Sequence, residues 1–274
     1  MQSEVTRPPR PVVLVCAGLD PSGGAGLLMD SAAVRAAGAH PAGLVTCRTQ
    51  QSPRGVFGVK NVPTSEILAG LALLARDLPP AAVKLGLFGA PGTARAVAGF
   101  ARRLSIPLVV DPVVRSSTGT LLVGRAGMKA LREELLPAAA VLTPNREEAG
   151  ILSGLAIESV ADAVTAARKI AAMGPQAVLV KGLRAPRRMR VDILATAAGR
   201  VRRFSSLEID GADPHGTGCT LASALAARLA AGDPLEKAVR RARRVVRAAI
   251  RSRFRPVRGG LDLLGPTWGS FWMT

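Results

Sequence analysis

Short apolar runs alternate with helix-period segments along most of this chain, and that alternation restricts the folds open to it. The runs at 12–17, 43–47, 82–86, 107–111, 140–143 and 177–181 have the length and continuity of buried strands. Between them, segments around 27–37, 65–76, 92–104, 125–135, 146–153 and 160–173 follow a helical pattern. Strands separated by helices need crossover connections, which give a mostly parallel sheet with helices on its faces. After Lys181, two strand-like pieces at 191–196 and 200–205 predict a hairpin, and helices follow at 216–231 and 234–254. The expected class is α/β. No Pro/Ser-rich linker divides the chain, so 11–255 is read as one domain between an N-terminal tail (1–10) and a C-terminal tail (256–274). In open sheets of this kind ligands bind beyond the carboxyl ends of the strands.

Two glycine clusters stand at such ends. The first run leads directly into Gly18-Leu19-Asp20-Pro21-Ser22-Gly23-Gly24-Ala25-Gly26, ahead of a helical pattern. It matches neither G-x-x-x-x-G-K-[ST] nor G-x-G-x-x-G. The second, His215-Gly216-Thr217-Gly218-Cys219-Thr220, lies between a turn-rich stretch at 210–214 and an apolar helical run from Leu221. Free N–H groups and the helix dipole make such a start attractive to anions. Cys219 lies inside this cup, where a helix N-terminus favours thiolate over thiol. A phosphate cradle holding a potential base points to phosphoryl transfer; the alternative is an ordinary glycine-capped helix start. Asp111 and Lys181 each end an apolar run. A carboxylate there suits a magnesium water shell, and a lysine suits phosphate as a point charge.

Taken together, the clusters resemble the ribokinase-like small-molecule kinases, and within them the hydroxymethylpyrimidine/phosphomethylpyrimidine kinases of thiamine biosynthesis. That family carries A-G-x-D-P-S-G-G-A-G after its first strand and H-G-T-G-C-T late in the chain; both are complete here. Asp111-Pro112-Val113, Thr143-Pro144-Asn145 with Glu148, and Val180-Lys181-Gly182 fall between them in the family's order. The resemblance implies a three-layer α/β/α kinase that uses ATP and Mg2+ in the cytoplasm, as a homodimer. It assigns Cys219 and the amides of Gly216, Thr217 and Gly218 to the anion hole, with Cys219 as base or hydroxyl-orienting group. It assigns Asn145, Lys181 and Thr217 to ATP, and Asp111 and Glu148 to the metal; first-turn acids favouring their own helix are a compatible reading of Glu148. For the acceptor it implies Gly18, Ala25, Asp30, Gln51, Leu87 and Val113. Gln51 would pair with an aminopyrimidine edge, because a carboxamide offers both donor and acceptor. A pyridoxal or pyridoxine kinase of the same cysteine-bearing branch is the enzymatic rival.

Departures from the family pattern cluster around the acceptor. Arg48 stands where an apolar residue is usual. The segment Val114-Arg115-Ser116-Ser117-Thr118-Gly119-Thr120 lacks the lysine and aspartate of x-x-A-K-S-G-D, and 210–214 lacks a further lysine. These changes bear on the second phosphorylation, that of the monophosphate.

Composition removes other classes. Three cysteines without paired spacing argue against a disulfide framework or a zinc site, and Cys16 reads as a core residue. The two histidines, His40 and His215, have no serine elbow to serve. No apolar stretch approaches a membrane span, and the polar N-terminus lacks a signal-like apolar core. Net charge is +18, and Arg240, Arg244, Arg247 and Arg251 recur at helical spacing opposite apolar positions. We read this as a solvated basic face; a kinase-fold regulator that binds nucleic acid through it is the rival from another class. Aromatic content of 3% with no tyrosine gives base stacking little support.

Overall fold

Strand β1 (Val12–Leu19) sets the architecture, because it is buried on both faces. Val13, Val15 and Ala17 point into one apolar cluster, and Leu14 and Cys16 into another. A computed structural model of the chain describes residues 9–52, 55–116, 119–209, 216–255 and 262–265. The expectations that concern 1–8, His215, the 210–214 turn and most of the C-terminal tail lie outside these residues.

The remaining strands are β2 (His40–Ser52), β3 (Gly55–Asn61), β4 (Ala82–Leu85), β5 (Leu108–Val110), β6 (Val141–Leu142), β7 (Ala177–Ala185), β8 (Met189–Thr196) and β9 (Val201–Leu207). They form one sheet in the order β3-β2-β1-β4-β5-β6-β7-β8-β9. From β2 to β7 the pairings are parallel. β3 adds to one edge and the β8–β9 hairpin to the other, all antiparallel. The helices are α1 (Gly26–Ala36), α2 (Thr64–Asp77), α3 (Pro91–Leu104), α4 (Arg125–Ala130), α5 (Arg146–Ser153), α6 (Val160–Ala171), α7 (Thr217–Ala230) and α8 (Leu235–Arg251). Helices α1, α7 and α8 cover one face and α2 to α6 the other, which makes the three expected layers.

Some elements differ from the sequence expectation, β2 and β7 in running longer than their apolar cores. β3 was not expected; its glycines and alternating exposure disguise an edge strand. The helix expected over 125–135 is α-helical to Ala130 and continues as a π turn over Leu131–Leu135.

Helix α7 is buried along most of its length, and its Ala222, Ala224, Ala226 and Ala227 let it lie close to the sheet and to α1. On the outer face of α8, Arg240, Arg244 and Arg251 are exposed as expected, while Arg247 and the flanking Arg241 and Arg243 bond within the chain. Arg243 pairs with Asp192 at 2.7 Å, Arg241 with Asp233 at 2.9 Å, and Arg247 donates to the Leu207 carbonyl at 2.8 Å. Part of the basic charge therefore clamps α8 to the β8–β9 hairpin. Strand order reverses at β1, whose neighbours are β2 and β4. The loops leaving β1 and β4 diverge there and open a crevice at the strands' carboxyl ends.

Candidate active site

Both glycine clusters border that crevice and touch backbone to backbone. Gly216 has φ +90°, and a Cβ there would meet the Gly24 carbonyl oxygen at 2.2 Å. Gly26 has φ +60°, and a Cβ there would meet the Gly18 carbonyl oxygen at 2.2 Å. Asp20 organises the first loop from within. Its Oδ1 accepts from Ser22 N at 2.9 Å and Ser22 Oγ at 2.7 Å, and its Oδ2 from Ala25 N at 3.0 Å. The Asp-Pro-Ser of the motif is thus a turn-building device.

Helix α7 begins at Gly216 with no side-chain cap. Gly216, Gly218 and Cys219 line a cavity of about 320 Å³. Thr217 does not line it. Lys181 lies against this turn: a Cβ on Gly218 would stand 3.0 Å from Lys181 Nζ. Lys181 was expected to end its strand, but β7 runs on to Ala185. The ladder to β8 shifts between Val180 and Leu183, and this irregularity lies beside the lysine. Its ammonium hydrogen-bonds Asp111, which also accepts from Thr143 Oγ1 at 3.2 Å. Burial pushes the Asp111 carboxyl up, but Lys181 and Lys84 outweigh it and hold the group below its usual range.

Lys84 was not anticipated in the site; it is fully buried at the floor of the cavity. Its Nζ lies 2.6 Å from Asp30 Oδ2, while Ser223 Oγ donates to Asp30 Oδ1 at 2.7 Å. Burial opposes both charges and pushes the Asp30 carboxyl up. Asp30, Cys219 and Asp111 together still hold the Lys84 ammonium above its ordinary range. Both Asp30 oxygens are thereby engaged, so the residue lines the cavity chiefly as the partner of Lys84.

The expectation of a Cys219 thiolate needs correction. Burial pushes the thiol up to about 12; Lys84 and Lys181 pull it down, whereas Asp30 and Asp111 add to the rise. Desolvation outweighs the helix-end effect, and the protonated thiol is the resting form.

Helix α5 opens on the same cavity in a different way. Asn145 Oδ1 accepts from Glu148 N, and Glu148 Oε2 accepts from Asn145 N, both at 2.9 Å. This reciprocal capping box engages Glu148 Oε2, and the Val114 backbone amide also helps hold the carboxylate. Burial raises the Glu148 carboxyl to about 7 despite the nearby Lys181. Among the described residues no group of three or more His, Cys, Asp or Glu is placed to hold a metal ion. The pair Asp111 and Glu148 nevertheless suits magnesium, which keeps several waters and shares phosphate oxygens instead of needing a full protein cage.

Gly18, Ala25, Gln51, Leu87 and Val113, the residues expected for the acceptor, line the same cavity. Asn145, Lys181, Asp111 and Glu148 line it too. Thr49 and Val56, to which no role was assigned, line it as well, and so does Arg115 from the altered 114–120 segment. Arg115 reaches it from a small flap closed by the Arg115–Leu121 bridge and pairs with Glu147 at 3.1 Å.

The family described as phosphomethylpyrimidine kinase matches residues 20–263. The hydroxymethylpyrimidine/phosphomethylpyrimidine kinase of Synechococcus elongatus is 38% identical over 88% of this chain and 92% of its own length. The thiamine biosynthesis bifunctional protein ThiED of Geobacter sulfurreducens is 39% identical over 89% of this chain, which spans 50% of that longer protein. In three dimensions the chain is similar to Bacillus subtilis pyridoxal kinase, solved as an ADP complex, with TM-score 0.84 and 28% identity over 94% of this chain and 98% of that one.

Proposed function

Because the chain belongs to the phosphomethylpyrimidine kinase family, we propose that it transfers the γ-phosphoryl group of ATP to the hydroxymethyl oxygen of 4-amino-5-hydroxymethyl-2-methylpyrimidine, and then to the resulting monophosphate, for thiamine diphosphate synthesis. The observation that carries this reading is the meeting, in one cavity, of an uncapped helix start, two lysine–carboxylate pairs and Gln51.

The amides of Gly218 and Cys219 receive the transferring group, and the Lys181 ammonium, which also pairs with Asp111, balances its charge. Asp111 and Glu148 would hold magnesium, which would supply further charge neutralisation. Asn145 keeps its side-chain N–H donors for phosphate. The Cys219 thiol orients the acceptor hydroxyl. A loose transition state does not require a strong base before the bond to phosphorus forms, which suits a thiol held near 12. Residues 11–255 act as one catalytic unit in this reading, in the cytoplasm and as a homodimer. No helix among the described residues is long and apolar enough to cross a membrane. Arg247, one of the four arginines of the basic face, is bonded to the Leu207 carbonyl, which gives a structural role to part of the charge a nucleic-acid reading would need free.

Mass spectrometry of products from Mg-ATP with the pyrimidine, and with pyridoxal in parallel, tests the proposal. Pyrimidine diphosphate is expected from the wild type and not from Cys219→Ala. Pyridoxal phosphate alone would refute the acceptor assignment, and no product from either would refute the kinase reading.

A further inference from the structure

We propose that Thr49 locks the side-chain amide of Gln51 in one of its two orientations, and that this lock makes the pocket select a pyrimidine bearing an exocyclic amine over one bearing an oxo group at the same carbon. The inference rests on the acceptor reading above. Thr49 and Gln51 occupy alternate positions of β2, and both line the cavity. Thr49 Oγ1 lies 2.9 Å from the Leu19 carbonyl oxygen and 3.1 Å from Gln51 Oε1. With Oε1 on that side, one hydroxyl proton would have to serve two acceptors. A carboxamide has nearly the same shape either way round, so its orientation follows from the hydrogen bonds it makes.

Turning the amide over satisfies every group. The Thr49 proton goes to the Leu19 carbonyl, which can only accept. The Gln51 Nε2 group donates to the Thr49 oxygen. The Gln51 carbonyl oxygen then faces the cavity as an acceptor, matching an N–H donor on the ligand. An oxo group in that place would set two acceptors against each other. A free carboxamide escapes the mismatch by rotating; one tethered through Thr49 must first break that hydrogen bond. Thr49 is therefore a positioning residue acting through Gln51.

The experiment measures kcat and KM of the intact protein with 4-amino-5-hydroxymethyl-2-methylpyrimidine and with its 4-oxo counterpart, for wild type, Thr49→Val and Thr49→Ser. Thr49→Val keeps the side-chain shape and removes the hydroxyl. It is expected to lower the amino-over-oxo ratio of kcat/KM about tenfold, the scale of one net hydrogen bond. The change should appear mainly in KM, with better use of the oxo compound contributing to it. Thr49→Ser should restore the ratio. A ratio unchanged within about twofold in Thr49→Val, or Thr49→Ser behaving like Thr49→Val, would overturn the lock while leaving the kinase reading intact. A wild type that phosphorylates neither pyrimidine would overturn both.

Discussion

Helices α7 and α5 both begin at the same cavity, yet they are finished in opposite ways. Helix α7 starts at Gly216 with no side-chain cap, and two lysines, Lys84 and Lys181, lie close to its first turn. Helix α5 starts at Asn145 with a complete capping box, so its own Glu148 occupies the place an anion would take. The difference divides the site by charge. The open start is suited to receive a phosphoryl group, and the closed start presents a carboxylate for a cation. Helices α1, α2, α3, α4 and α8 also start without a side-chain cap, so it is the place of the α7 start, in the cavity and against Lys181, that suits it to a ligand.

The largest effect should come from breaking the support beneath α7. Lys84→Met leaves Asp30 buried without its counter-ion and is expected to destabilise the protein by about 3–5 kcal/mol in urea unfolding. Lys84→Met combined with Asp30→Leu should recover much of that loss. Next, Gly216→Ala must force a Cβ against the Gly24 carbonyl oxygen at a φ of +90°. This misplaces the first-turn amides and should lower kcat about 100- to 1,000-fold.

On the α5 side the expected effects are smaller and depend on pH. The Glu148 carboxyl is raised from 4.5 to about 7, so in metal-free protein its ionisation is harder folded than unfolded. Stability from this group is therefore full below about 4.5 and is lost as pH rises toward about 7. Glu148→Gln retains a capping oxygen. It should be more stable than wild type at pH 8 by about 2–3 kcal/mol and equal to it near pH 4. Weaker use of magnesium by the same variant would join the stability change to function. The smallest effect is that of Asn145→Ala, which removes one half of the box and should cost about 1 kcal/mol. If Gly216→Ala and Asn145→Ala altered activity and stability alike, the division between the two helix starts would fail.

Much of this arrangement was legible in the residues themselves. The period of the apolar runs located every strand but β3, whose Gly55 and Gly58 and exposed Phe57 break the pattern of a buried strand. The glycine motifs identified both loops, because their backbone conformations tolerate few other residues. Pairings across long separations were hidden. Asp30 meets Lys84 and Ser223 only after α1, β4 and α7 have assembled. The protonation of Cys219 was misjudged for the same reason: the helix end is visible in sequence, but the depth of the thiol is not. Arg247 read as part of a solvated face until α8 lay against the β8–β9 hairpin.

The most direct test of the account is a crystal structure with the pyrimidine, Mg-ADP and aluminium fluoride as mimic of the transferring phosphoryl group. The account predicts the fluoride ligands on the amides of Gly218 and Cys219, with the pyrimidine hydroxymethyl group beside the Cys219 thiol and the metal on the Asp111–Glu148 side. Fluoroaluminate seated at the start of α5, or away from both helix ends, would contradict it.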